Sequence, residues 1–130
     1  MQKKISMVIV LLTLMTSNLL SSSDVYISAT VNDQIITNYD IKKEKTYLII
    51  LNPNLSKLNE KKVTEIATKS LINEVIKKKE LEKYFNFEKK NPYLDKVFID
   101  FYKRLNLKDE KEFKELLSNK KTYSLKEIKN

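Results

Sequence analysis

The sequence predicts a mainly α-helical domain that opens with a small β-hairpin and is preceded by a signal peptide. Three observations carry this expectation. An alternating β-branched stretch runs into a two-residue turn and a return strand. Apolar residues then recur every three or four positions along most of the remaining chain. The first twenty-three residues have a composition of their own.

Met1-Gln2-Lys3-Lys4 is a short cationic start, followed by the apolar run Ile5 to Met15 and then by Thr16 to Ser23, rich in small polar residues. These are the three parts of a secretory signal peptide, with Ser21 and Ser23 at the small-residue positions of a cleavage site after Ser23. The competing reading is an uncleaved anchor, but a spanning helix needs about 20 apolar residues and Thr16 to Asn18 breaks the run early. Cleavage would remove Lys3 and Lys4 and lower the net charge from +8 to +6.

Residues 24–130 then read as one domain. Val25, Ile27, Ala29 and Val31 alternate onto one face of a strand, Asn32-Asp33 supplies the turn, and Gln34 to Ile36 returns. Thr37 with Asp40 three residues on is a capping signal for a helix from Asn38 to about Leu51, ending before Asn52-Pro53. Its last five residues, Tyr47 to Leu51, are all apolar and also fit a strand; periodicity does not separate the two, and the cap favours helix. Asn59 caps the longest helix, from Glu60 to about Phe85. Val63, Ile66, Ala67, Leu71, Val75 and Ile76 form its stripe, Lys77 to Lys79 interrupts it, and Leu81, Tyr84 and Phe85 resume it, with Asn86 as the stop. Asn91-Pro92 starts a third helix with Leu94, Val97, Phe98, Phe101 and Leu105 inward. Asp109 opens a fourth, with Phe113, Leu116 and Leu117 inward, and Ser124 with Glu127 caps a fifth. That helix has barely begun at Asn130, so the domain is expected to be incomplete at its C-terminus.

Composition excludes more than it suggests. With no Cys and no His, a disulfide framework, a thiol nucleophile, a Ser-His-Asp triad and the usual zinc sites are ruled out. With no Gly, neither a P-loop nor a dinucleotide-binding turn can be built. Of the 25 basic residues only Arg104 is Arg, whereas proteins that grip phosphate or read bases favour the planar guanidinium. Lysine-covered helix faces are the plainer reading; a polyanion-binding surface is the alternative, and it predicts affinity that falls steeply with salt.

The block Val31-Asn32-Asp33-Gln34-Ile35-Ile36-Thr37-Asn38-Tyr39-Asp40-Ile41 resembles the opening of the SurA N-terminal domain, whose pattern runs from hairpin into first helix. Ala67, Leu71, Ile72, Glu74 and Ile76 fit that family's next helix, and the order of later elements is similar. The resemblance covers about Val25 to Asn130. It implies a periplasmic, ATP-independent chaperone that holds unfolded outer-membrane protein precursors without cofactor or metal. In that family a parvulin-type prolyl isomerase domain follows, so a second reading is the front piece of a longer isomerase. A third is a membrane-tethered helical interaction protein that keeps its N-terminus.

No catalytic group stands out. Ser118 and Lys121 match S-x-x-K, but among ten Ser and many Lys such pairs arise by chance. Carboxylate pairs such as Glu60/Glu65, Glu80/Glu82 and Asp109/Glu110/Glu112 lie among lysines and read as solvated helix faces. The aromatic residues say more. Phe98, Phe101 and Phe113 fall on inward faces. Tyr39, Tyr47, Tyr93, Tyr102 and Tyr123 fit those stripes less well and are the candidates to line a groove for extended client chains, where lysines would attract acidic client segments. Half-buried tyrosines at helix edges are the bland alternative.

Overall fold

A computed structural model describes residues 24–86 and 93–129. The signal peptide expected over Met1–Ser23 and the helix start expected at Asn91-Pro92 lie outside the described residues. The described chain is mainly helical and opens with a two-stranded antiparallel hairpin. Strands β1 (Ile27–Val31) and β2 (Gln34–Thr37) pair Val31 with Gln34, Thr30 with Ile35 and Ala29 with Ile36. Asn32 takes the turn at φ 53°, a region that Asn tolerates better than most residues. An irregularity between Ile27 and Ala29 shifts the register. Such a shift breaks the two-residue alternation, so Ala29 and Val31 are half-buried while Ile27 and Val25 are exposed. The expected four-residue inward face is therefore half as long.

Helix α1 (Asn38–Leu51) begins at the expected cap. The Asp40 amide donates to Thr37 Oγ1 at 3.2 Å, and the Thr37 amide donates back to Asp40 Oδ2 at 2.8 Å. A 3-10 turn over Pro53–Lys57 leads to α2 (Glu60–Glu82), where Asn59 accepts from the Lys62 amide at 2.8 Å. Val63, Ala67 and Leu71 bury the first half of α2. The second half departs from expectation: Ile76 and Leu81 are exposed, the helix ends three residues before Phe85, and Tyr84 and Phe85 are exposed beyond it. Among the described residues, Ile76, Leu81, Tyr84 and Phe85 belong to neither core cluster, so the resumed stripe is not part of the packed core.

Helix α3 spans Tyr93–Arg104, α4 Glu110–Asn119 and α5 Leu125–Lys129. The two longer helices close with the same device. After α3, Asn106 (φ 58°) donates to the Lys103 carbonyl and Leu107 to that of Tyr102; after α4, Lys121 (φ 52°) donates to Ser118 and Thr122 to Leu117. This is the Schellman pattern, with Asn and Lys in the left-handed position that Gly usually takes. The inward face of α3 is rotated from the expected one. Tyr102 is buried and Phe98, Phe101 and Leu105 half-buried, a spacing of three and four, whereas Leu94 and Val97 are exposed.

The core divides into two clusters. One joins Ile36, Ile41, Ala67 and Leu71, with Ala29, Val31, Leu48 and Ile72 packed against it. The other joins Tyr102, Phe113 and Leu117 with flanking apolar residues from α1, α3, the α3–α4 connection and α5. Helix α1 serves both, through Leu48 on one side and Tyr47 and Ile50 on the other. A segment flanked on both sides is apolar all round, which is why Tyr47 to Leu51 carries no helical period although it is helical.

Candidate functional site

The C-terminal segment is laid against α1 by polar contacts. Thr122 Oγ1 donates to the Lys43 carbonyl at 2.8 Å, and Lys43 Nζ pairs with Glu127 Oε1 at 2.7 Å. The same ammonium lies 4.6 Å from the centre of the Tyr123 ring, within cation–π range. Tyr123 in turn meets the Tyr47 ring edge-on, at 5.5 Å and 83°. These contacts close one side of a groove of about 800 Å³ between α1, α2 and the C-terminal segment. Helix α1 contributes Glu44, Tyr47, Leu48 and Leu51; α2 contributes Ser70, Asn73, Glu74, Lys77, Lys78 and Leu81; Tyr123, Glu127 and Ile128 complete it. An adjoining hollow of about 440 Å³ shares Glu74, Lys78 and Tyr123 and runs on to Gln34, Ile35 and Ile36 of β2.

Glu44 is the unusual residue here. It is 4% exposed and is the one buried charged side chain among the described residues. Its neighbours feel it. Burial pushes the Tyr123 phenol well above its ordinary range, and the charge and hydrogen bonding of Glu44 push it further. Tyr47 rises to about 12 for the same leading reason, burial, with Glu44 and Glu74 adding to it. Glu74 is raised by burial and then by Glu44, with Lys78 opposing. Both phenols therefore remain protonated at neutral pH and act as hydrogen-bond donors, not as bases or nucleophiles. The groove combines apolar walls, two phenol donors and three carboxylates, of which Glu127 is paired with Lys43, and this suits binding.

The five tyrosines read from the sequence separate clearly. Tyr47 and Tyr123 are brought together in the groove. Tyr39 and Tyr93 are exposed, at the first turns of α1 and α3, and do not line it. Tyr102 belongs to the core at 4% exposed, with its ring 5.5 Å from that of Phe113; its position on the inward face of α3 withdraws it from any client surface. Sequence reasoning missed Glu44. A signal was present: Ile41, Glu44 and Leu48 share one face at three- and four-residue spacing, so a carboxylate falls on a buried stripe.

The other candidates have structural roles. Ser118 and Lys121 meet through the backbone cap of α4. Glu60 pairs with Lys45, Glu65 with Lys62, Glu80 with Lys83 and Glu110 with Lys129, while Asp109 and Glu112 cap the start of α4. Among the described residues, no three His, Cys, Asp or Glu side chains are grouped to hold a metal, and no helix is long and apolar enough to cross a membrane. Set against protein-family models, characterised proteins and solved structures, the chain matches none.

Proposed function

We propose that this chain is a SurA-like, ATP-independent chaperone domain, exported to the periplasm, that binds unfolded segments of outer-membrane proteins. The observation that carries the reading is where the apolar side chains lie. Among the described residues, fourteen large hydrophobic side chains are exposed against eight hydrophobic residues buried in the core. Single exposed apolar residues are ordinary, but grouped ones mark contact surfaces. Here they fall in groups: Val25, Tyr26, Ile27, Ile35 and Tyr39 around the hairpin, Leu81, Tyr84 and Phe85 at the end of α2, and Tyr93, Leu94 and Val97 on one side of α3. The Tyr47–Tyr123 groove adds a concave element. Surfaces of this kind hold extended chains through aromatic and aliphatic contact, without demanding an exact sequence. The mechanism is reversible burial of client side chains, with no bond made or broken.

The test is binding of the purified chain to a labelled unfolded segment rich in aromatics. A control segment of equal charge without aromatics is measured beside it, at low and moderate salt. The expected result is preferential binding of the aromatic segment at roughly micromolar affinity, since ordering a flexible client offsets much of the contact energy. That preference should survive salt. Equal binding of both segments that disappears with salt would overturn the proposal and leave a basic surface that attracts polyanions.

A further inference from the structure

Glu44 is a buried carboxylate without a counter-ion. Among the described residues, no ammonium or guanidinium lies within ion-pair distance of it. The lysines on either side are committed elsewhere, Lys43 to Glu127 and the Tyr123 ring, Lys45 to Glu60. The Tyr123 hydroxyl beside it carries no charge at neutral pH. An opposite charge brought beside a buried carboxylate replaces the hydration that the carboxylate gave up on burial. Glu74 repels Glu44. Both line the same groove, and that groove is open to solvent.

We infer that the groove between α1, α2 and the C-terminal segment seats a cationic side chain, a Lys or Arg within an unfolded client, with the Glu44 carboxylate as its counter-ion. This deepens the chaperone reading and rests on it. The fit is chemical on three counts. An ammonium or guanidinium entering between Glu44 and Glu74 supplies the missing opposite charge and relieves their repulsion. The Tyr47 and Tyr123 rings, edge to face, offer aromatic surface to a cation, as Tyr123 already does to Lys43. Leu48, Leu51 and Ile128 give the aliphatic stem an apolar wall, so the long side chain buries its carbons as it delivers its charge. An acidic client segment meets the carboxylates that line the groove. The expectation that lysines make this groove attractive to acidic segments is thus reversed at this site; Lys77 and Lys78 are exposed residues of α2 and bind neither carboxylate within ion-pair distance.

The experiment compares two peptides with the same aromatic residues, one carrying a central lysine and the other the same lysine acetylated. Acetylation removes the charge and keeps the stem. The lysine peptide is expected to bind the chain roughly tenfold more tightly, the order of one charge-assisted contact in a partly buried site. Glu44→Gln is expected to abolish that difference. Glu74→Gln is expected to reduce the difference by about threefold. Equal affinity for the two peptides overturns the inference and leaves the chaperone reading standing. A charge preference that persists in both variants also overturns it, because the cation then binds elsewhere. If neither peptide binds, the chaperone reading fails and this inference falls with it.

Discussion

The two core clusters are built from different materials. The first, under the hairpin, joins small aliphatic residues: Ala67 is fully enclosed at the contact of α1 and α2, with Ile36, Ile41 and Leu71 around it. Small residues let the helices approach closely, and neighbours in sequence provide the partners. The second is aromatic. Phe113 is fully buried with the Phe101 ring at 5.4 Å and the Tyr102 ring at 5.5 Å, and Leu117 closes the space beside them. Helices of twelve residues or fewer build it, and a short helix cannot sustain itself without tertiary contacts. The contrast teaches that the C-terminal half is held by a few large side chains and by the Lys43 and Thr122 contacts to α1, whereas the N-terminal half is held by continuous helix contact. It also places the groove, whose walls come from both halves.

The strongest way to break the comparison is to remove its largest side chain. Phe113→Ala deletes a fully enclosed ring and leaves a cavity, at an expected cost of about 3–5 kcal/mol. The loss should concentrate in α3, α4 and α5. Native-state hydrogen exchange should show their amides losing protection while those around Ala67 and Leu71 keep most of theirs. A uniform loss across both halves would show that the clusters unfold as one unit.

A smaller effect tests the C-terminal helices from the backbone side. Lys121 holds a left-handed φ of 52° after α4, where a side chain crowds the backbone. Lys121→Gly should stabilise the protein by about 0.5–1 kcal/mol, through relief of that crowding set against the greater freedom of Gly in the unfolded chain. Urea unfolding measures it. A destabilised variant would mean that the Lys121 side chain has a contact worth more than the strain.

Local signals made most of the fold legible. Thr37 with Asp40, Asn59, Asp109 and Ser124 are cap residues whose side chains act on backbone groups three positions away, and Asn32 makes the turn with its own backbone, so their role can be read without the fold. The errors are all tertiary. Whether Leu81 or Val97 is buried depends on what stands opposite, and one residue of rotation in α3 exchanges Leu94 and Val97 for Tyr102. The candidate site was half legible. Tyr47 and Tyr123 stand seventy-six positions apart in sequence and meet only because Thr122 and Glu127 fasten the C-terminal segment to Lys43. Glu44 was hidden for the opposite reason: surrounded by lysines, it looks like one more member of a solvated helix face.

The finest test uses pH, because the two halves respond with opposite sign. Glu127 is held down to about 2, first by its bond to Lys43 and then by the Ser124 backbone and side-chain bonds. Its folded pKa lies below the unfolded value near 4.5. The stability it contributes is therefore complete above the unfolded value and is lost as pH falls through 4.5 towards 2. The carboxylate is half exposed, so solvent screening reduces the contribution to about 1 kcal/mol or less. Glu74 is raised, by burial and by Glu44. Its ionised form is disfavoured in the fold, and that penalty is present at neutral pH and relieved as pH falls through its folded pKa. Acidification from neutrality should first ease the region around Glu74. Below 4.5 it should loosen the C-terminal segment, so that α5 amides lose protection before those of α2. Glu127→Gln should remove this low-pH step from α5 and leave the Glu74 region as it was. If α5 loosened along the same acid curve in that variant, the fastening would lie in Thr122 and the aromatic contact of Tyr123 with Tyr47, not in the Lys43–Glu127 pair.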